Sequence, residues 1–401
     1  MVYVRAPLPA LGFAALVTCM LPLGAQTTFR NPLNSGPDPY LAHWQGNYYL
    51  TVTGGNGIRI WKSPTLGGLK QVGGQSVWTD GAADRCCNIW APEFHLLEGP
   101  AGRHWYLYYT ADDNVDQHHR MHVLESRGTD PMGPYDYKAR LQTDPTNAFY
   151  AIDGTVLKHP NGNLYFLWAG YPDHRLYIIR MENPWTTTGT RTLIPADGFG
   201  CPEVREGPFV LQRNGMLFLT YSACDTQKPD YKLGMVIASD KSDPQLASSW
   251  VQHSQPIFQR NDAAGVFGPG HHSFFKSPDG KEDWILYHGK SSSAYTYSGR
   301  TTRAQKFSWT SAGMPDFGAP LSLDTNVPAP SGDGTTGVSV RLPREKMLRF
   351  RNGSERPGIA GAADEGARIP AYGLDARGRL RAILPGLVYP PAWQAYRIQL
   401  R

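Results

Sequence analysis

The stretch AIDGTVLKHPNGNLYFLWAG, residues 151–170, shows most plainly the pattern from which the fold follows. Apolar residues alternate with polar ones on both sides of Asn161-Gly162, and such a turn between two alternating runs is typical of a β-hairpin. Four other stretches repeat the pattern: GPDPYLAHWQGNYYLTV from Gly36, APEFHLLEGPAGRHWYLYYT from Ala91, EGPFVLQRNGMLFLTYSA from Glu206 and GPGHHSFFKSPDGKEDWILYHG from Gly268. The sequence therefore contains five copies of one hairpin unit.

A further strand pattern follows most copies, for example RLYIIRM from Arg175, and the copies recur at intervals of roughly 50 residues. Repeats of this length made only of strands indicate a β-propeller in which each repeat is one blade. We therefore predict an all-β protein with a five-bladed β-propeller over residues 29–328. The low content of charged residues, 18%, and the 43 Gly and 33 Pro agree with short strands joined by tight turns. A β-sandwich with irregular Greek-key connections is the alternative fold.

The two ends of the chain differ from the repeats. Residues 1–25 contain Arg5, an apolar run and the small residues Gly24 and Ala25, a pattern typical of a secretory signal peptide. No later segment is apolar enough to cross a bilayer, so we expect a soluble, secreted protein. Residues 331–401 form a basic C-terminal extension with 11 Arg and 1 Lys against 3 Asp and 3 Glu. This extension lacks the strand pattern and receives no assigned function.

The formal net charge of +5 comes from that extension, since the rest of the chain carries −1. A nearly neutral repeat region argues against nucleic acid or an anionic membrane as its partner.

Four cysteines follow the signal segment: Cys86, Cys87, Cys201 and Cys224. An even number in an oxidising compartment permits two disulfides with three possible pairings. We favour a bond between Cys201 and Cys224, which would join one local unit. A zinc site is the alternative, but no paired C-x-x-C spacing supports it.

The repeats also place an ionisable residue at nearly the same position in every copy. Eight or nine residues before the turn glycine stand Asp38, Glu93, Asp153, Glu206 and His271. The innermost strands of a propeller line one central channel, so these side chains are expected to converge around its axis. Carboxyl groups crowded together in this way shift one another's pKa values and mark a functional site. We discount only Glu93, which can instead bond backbone donors where its strand begins.

Two carboxyl groups across a gap suit glycoside hydrolysis, in which one protonates the leaving oxygen and the other activates water or attacks the sugar. Aromatic rings near the starts of the inner strands fit a sugar ligand, and Trp90 and Phe267 are the expected contacts. A propeller lectin that binds sugar without cleaving it is the alternative from another class of protein.

The motifs GPDP from Gly36, WAPEFH from Trp90, AIDGT from Ala151, EGPF from Glu206 and GPGHHS from Gly268 together resemble glycoside hydrolase family 43. The resemblance covers residues 29–328 and implies a five-bladed propeller with an inverting mechanism. It implies that Asp38 is the general base, that Glu206 is the general acid and that Asp153 orients this acid and raises its pKa.

The same resemblance implies that His271 helps to hold a hydrated ion, often calcium, on the propeller axis, and that no organic cofactor is needed. It implies a sugar contact from an arginine of the last blade, either Arg300 or Arg303. Within the family the chain looks most like secreted exo-acting α-L-arabinofuranosidases, with β-xylosidase and endo-arabinanase as alternatives. We therefore expect a monomeric enzyme that acts on plant cell-wall polysaccharide or oligosaccharide.

Overall fold

A computed structural model describes residues 27–334 except residue 173, together with residues 371–374 and 380–383. Residues 27–334 form five four-stranded antiparallel sheets, which we number as blades 1 to 5 in chain order. Their strands are, in blade 1, Tyr40–Trp44, Asn47–Thr51, Ile58–Ser63 and Gln75–Trp78; in blade 2, Cys87–Gly99, Gly102–Asp112, Arg120–Ser126 and Tyr135–Arg140; in blade 3, Ala151–Lys158, Leu164–Gly170, Arg175–Asn183 and Thr186–Leu193; in blade 4, Arg205–Arg213, Met216–Ala223, Lys232–Ser239 and Val251–Gln252; and in blade 5, Phe267–Lys276, Asp283–Lys290, Thr301–Trp309 and Pro315–Asp316.

The blades are arranged in a closed ring, which confirms the predicted five-bladed β-propeller. The first strand of each blade contacts the first strand of the next, and the first strand of blade 5 contacts that of blade 1. Within a blade every strand pairs with its sequence neighbour, as hairpins joined by short turns require. The β-sandwich alternative is therefore wrong.

Apolar side chains of the strands pack between neighbouring blades and form the core. Five buried clusters are present in residues 27–334, and each draws on two adjacent blades. Leu167 of blade 3 packs with Leu219 of blade 4, for example, and both are fully buried. A sheet with two apolar faces is stable only when both faces are covered, which explains why the repeats require a ring.

The ring is closed by the segment that precedes blade 1. Thr28–Phe29 pairs with Val327–Pro328, and Phe29 and Val327 belong to the cluster between blades 5 and 1. The buried side chain of Asn31 donates a hydrogen bond to the carbonyl of Ala304 (3.0 Å) and accepts one from its amide (2.9 Å). One asparagine thus ties the beginning of the propeller to blade 5.

A β-bulge interrupts the inner strand of blades 2 to 5 near its beginning. In the bulge nearest the hairpin turn of each of these blades, one residue has a positive φ: Ala91 (42°), Asp153 (57°), Gly207 (52°) and His271 (40°). Asp38, just before the inner strand of blade 1, has the same conformation with φ at 55°. A bulge re-aims side chains, so it turns these positions towards the end of the channel.

The bulges correct the alignment of repeats that we based on turn glycines. The strand pairings make Ala91 of blade 2 equivalent to Asp153, whereas Glu93 lies two positions further along. They also place Glu206 one position before the residue equivalent to Asp153. The error arose because the number of residues between bulge and turn differs among blades, and spacing along the sequence does not reveal it.

Short 3₁₀ helices lie at Gly67–Gln71, Asp116–His118, Ala247–Ser249 and Asp262–Ala264. Within residues 27–334, apart from residue 173, no helix has the length and apolar character to span a bilayer. A second unit, residues 341–401, contains the antiparallel strands Ala371–Leu374 and Leu380–Ile383, which pair with each other. The predicted signal segment, residues 1–25, and most of the basic extension lie outside the described residues.

The structure contains two disulfides. One joins Cys201 and Cys224, as expected, and the other joins the sequence neighbours Cys86 and Cys87.

Candidate active site

A cavity of about 440 Å³ lies where the bulged ends of the inner strands meet. Its wall includes six of the eight residues that the sequence singled out as site residues: Asp38, Trp90, Asp153, Glu206, His271 and Arg300. These residues come from all five blades, and only the closed ring brings them together.

The carboxylate of Asp38 is held by partners from blades 1 and 5. Its Oδ2 accepts a 2.7 Å hydrogen bond from Thr53, and its Oδ1 accepts one from Arg300 at 3.2 Å and lies 3.1 Å from Nδ1 of His288. Burial by itself would raise the pKa of Asp38, but Arg300, His271 and His288 outweigh burial and hold it well below its usual range. Asp38 is therefore ionised and can accept a proton.

Glu206 shows the opposite behaviour in the same cavity. Burial, reinforced by the nearby charge of Asp153, raises the pKa of Glu206 to about 8. Its Oε1 accepts a 2.7 Å hydrogen bond from the hydroxyl of Tyr231, which works against that rise. A carboxylic acid with this pKa is protonated at neutral pH and can donate its proton.

Asp153 and His271 lie between these two groups. One carboxyl oxygen of Asp153, one of Glu206 and a ring nitrogen of His271 lie within 4.8 Å of one another. Nδ1 of His271 is 3.4 Å from Oδ1 of Asp38 and 3.6 Å from Oδ2 of Asp153. Burial and the charge of Asp38 raise the pKa of Asp153 well above its usual value, and the negative charge of ionised Asp153 in turn contributes to the raised pKa of Glu206.

Three sequence-based interpretations need correction. Arg303 is fully buried and bonds Thr301 and Ser291, away from the cavity, because its position on the strand faces the packing between sheets. Phe267 packs against the guanidinium of Arg260 and does not line the cavity. Glu93 bonds the ring of His95 (2.9 Å) rather than backbone donors, and it too lies outside the cavity wall.

Trp90 lines the cavity, and its ring packs against a buried histidine. Its ring lies against that of His119, with centroids 4.0 Å apart, and His119 is in turn held by the buried carboxylate of Asp112 at 3.5 Å. A fixed aromatic face beside two carboxyl groups is suited to packing on the C–H surface of a sugar.

Sequence reasoning missed several residues of the site. Tyr231 bonds Glu206 and His288 contacts Asp38, and neither residue lines the cavity. The rings of Tyr231 and His288 stack with centroids 5.4 Å apart at an angle of 6°. Tyr150, Asp225 and other residues complete the wall, namely Thr53, Asp116, Ile152, His174, Val204, Thr226 and Tyr297. Apart from Ile152 of the AIDGT motif, no motif marks these residues, because most stand in loops or on second strands that the repeat pattern does not align.

The predicted calcium ion stays a prediction. In the described part of the chain, the groups that could hold a metal at His271 are one imidazole nitrogen and the carboxyl groups of Asp153 and Glu206. Calcium prefers six to eight oxygen ligands, and a cation in this triad would displace the proton of Glu206. These three residues therefore do not fit a directly bound calcium ion.

The geometry defines a class of protein: a β-propeller whose central cavity pairs an ionised carboxylate with a protonated carboxylic acid. Comparison with known proteins identifies the family. The sequence profile described as Glycosyl hydrolases family 43 matches residues 29–315, and the chain belongs to this family.

Several relatives support this assignment. The chain is 37% identical over 322 residues to the extracellular exo-alpha-(1->5)-L-arabinofuranosidase of Streptomyces avermitilis and 32% identical over 325 residues to alpha-L-arabinofuranosidase 43 of Humicola insolens. These matches cover 75% and 76% of this chain, but they span only 65% and 64% of the two relatives. An alpha-L-arabinofuranosidase structure from Lactobacillus brevis superposes with a TM-score of 0.68 and 31% identity, over 74% of this chain and 98% of that one.

Proposed function

We propose that this protein is a secreted, inverting exo-α-L-arabinofuranosidase that releases L-arabinose from arabinan or arabinoxylan. One observation carries the proposal: a single cavity holds a carboxyl group whose pKa is lowered, Asp38, and another whose pKa is raised, Glu206. A lectin needs no such pair. The names of the relatives support arabinose as the sugar.

The reaction requires a proton at one oxygen and the removal of a proton from water. Glu206 donates its proton to the glycosidic oxygen as the bond to the anomeric carbon breaks. Asp38 accepts a proton from the water that attacks that carbon from the opposite face. Arg300, Thr53 and His288 orient the Asp38 carboxylate, while Asp153 keeps the proton on Glu206.

Product analysis tests the activity and its mode together. Incubation with debranched arabinan should release arabinose alone from the first minutes, whereas a ladder of oligosaccharides would indicate an endo-arabinanase. Xylose release from xylo-oligosaccharides without arabinose release from arabinan would indicate a β-xylosidase. Binding of these polymers without release of any sugar would support the lectin instead.

The stereochemistry of the first product tests the mechanism. An inverting enzyme needs room for a water molecule between base and sugar, so we expect roughly 6.5–9.5 Å between the carboxyl groups of Asp38 and Glu206. Proton NMR of a reaction with an α-arabinofuranoside should show β-arabinofuranose first. Initial formation of the α-anomer would contradict inversion.

Secretion and a monomeric state are further parts of the proposal. Two observations support export: the word "extracellular" in the name of the Streptomyces avermitilis relative and the two disulfides of this chain. N-terminal sequencing of the exported protein should begin at Gln26, and light scattering should give the mass of one chain.

A further inference from the structure

A second hollow opens from the flank of the catalytic cavity. It has a volume of about 430 Å³, and it shares Asp116, Tyr150 and His174 with the cavity that contains the three carboxyl groups. Its remaining wall is formed by Gln117, Ala148, Phe149 and Tyr171. A ligand that leaves the catalytic cavity on this side therefore meets the hollow next.

The surface of the hollow is aromatic and accessible. The side chain of Tyr171 is 53% exposed, and its ring lies 4.9 Å from that of the half-buried Phe149. Next to them Tyr150 and His174 stack with centroids 5.0 Å apart at 10°. An exposed ring such as that of Tyr171 can pack on the C–H surface of a sugar. We call Tyr171 and the partly buried Phe149, Tyr150 and His174 the aromatic platform.

The backbone of the platform is fixed by hydrogen bonds. The carboxylate of Asp144 accepts bonds from the amides of Ala148 (3.3 Å) and Phe149 (3.0 Å). The amide of Tyr171 donates a 3.0 Å bond to the carbonyl of Tyr150. A surface that is ordered before binding loses less conformational freedom when it binds a ligand.

The platform lies on the side of the general acid. The amide of Arg205, the residue before Glu206, donates a 2.8 Å hydrogen bond to the carbonyl of His174. Asp38 lines the catalytic cavity but not the second hollow, and its carboxylate is bound by Thr53 and Arg300 of blades 1 and 5. Because the acid protonates the leaving oxygen, the departing part of the substrate must lie next to Glu206.

Polar groups at the rim complete the chemistry of a sugar site. The carboxylate of Asp116 and the side chain of Gln117 are both exposed at the edge of the hollow. They can bond the hydroxyl groups of a sugar whose ring rests on Tyr171.

From this arrangement we propose that the aromatic platform binds the sugar residue on the leaving side of the scissile bond. This inference rests on the proposed function, because it takes Glu206 as the acid of a glycosidase. It assigns Tyr171 and Phe149 as residues that favour an oligosaccharide over a glycoside with a small leaving group.

The test compares two substrates in wild-type enzyme and in Tyr171→Ala. α-1,5-Arabinotriose has a sugar on the leaving side, whereas methyl α-L-arabinofuranoside has none. Loss of the ring should lower kcat/KM for the triose roughly tenfold, and it should leave kcat/KM for the methyl glycoside within about twofold of wild type. Tyr171→Phe, which keeps the ring, should retain wild-type selectivity.

Tyr295→Ala is the matched control, since Tyr295 is 61% exposed and lines neither hollow. It should change neither substrate. An equal effect of Tyr171→Ala on both substrates, or no effect on either, would overturn the inference while the proposed function stands. Wild-type enzyme that cleaves neither substrate would overturn the proposed function and the inference with it.

Discussion

The hydroxyl of Tyr231 donates a 2.7 Å hydrogen bond to Oε1 of Glu206, and the Tyr231 ring is fully buried. Its ring is tightly packed: it stacks on the ring of His288, and a Cβ atom on Gly270 would lie only 2.3 Å from it. Tyr231 therefore fixes the position of the Glu206 carboxyl group, and Gly270 of the GPGHHS motif provides the space for the ring.

Replacing Tyr231 by Phe should move the alkaline limb of the pH profile of kcat/KM to higher pH. The hydrogen bond stabilises the ionised form of Glu206, so its loss raises the pKa of this acid further above its usual value. Tyr287→Phe is the control, because Tyr287 is equally buried and its hydroxyl bonds Gln305 instead. A profile unchanged in Tyr231→Phe would show that the bond does not tune the acid.

Asp153→Asn should move the same limb in the opposite direction. Asp153 raises the pKa of Glu206 through its charge, and an uncharged amide removes this contribution, so Glu206 loses its proton at lower pH. The pH dependence of kcat/KM on arabinotriose measures the shift. A limb that stays in place or rises would mean that Asp153 has another role.

Asp38→Asn keeps the shape of the side chain but cannot accept the proton of water. We expect kcat to fall by roughly 10²–10⁴-fold or more while the affinity for arabinotriose is retained. Asp80→Asn is a matched control, because the nearly buried carboxylate of Asp80 bonds Arg85 and Tyr109 and lies outside the cavity wall. Comparable losses in both variants would indicate damage to the propeller and not loss of a base.

Glu206→Gln should affect substrates according to their leaving groups. Arabinan has a poor leaving group that needs protonation, so its turnover should fall by roughly 10²–10⁴-fold. A nitrophenyl arabinofuranoside needs little protonation and should retain much more of its rate. Equal losses on the two substrates, with unchanged folding and affinity, would mean that the acid is another residue.

Asn31→Ala tests how the ring is closed. The substitution leaves the buried amide and carbonyl of Ala304 without the partners they have now, so the free energy of unfolding should fall by about 1–3 kcal/mol. Asn326→Ala removes a hydrogen bond to Arg30 on the exposed surface near the same closure and should cost less than about 1 kcal/mol. Urea unfolding curves of the two variants measure these changes in the free energy of unfolding. Similar decreases in both variants would argue against a special role for Asn31 in closing the ring.

Much of the fold could be predicted because it is a local property repeated five times. Side chains of a strand alternate between two faces, so the hairpin at residues 151–170 and its copies show where strands begin and turn. Strands with two apolar faces need a neighbour on each side, and five such units close into a ring. The positions of Asp38, Asp153 and His271 could also be predicted from the repeats. Each of these residues stands either just before the inner strand of its blade or in the bulge of that strand.

The sequence by itself thus determined the number of blades and the acidic character of the site, and its resemblance to the family suggested the roles proposed for Asp38 and Glu206. Only the tertiary structure decided which groups surround them. It placed Arg300 beside Asp38 and buried Arg303, three positions away, because Arg300 stands just before the strand Thr301–Trp309 whereas Arg303 lies within it. It brought Tyr231 to Glu206 and the platform of Tyr171 to the edge of the cavity, since contacts between blades depend on bulges, loops and packing that spacing along the chain does not encode.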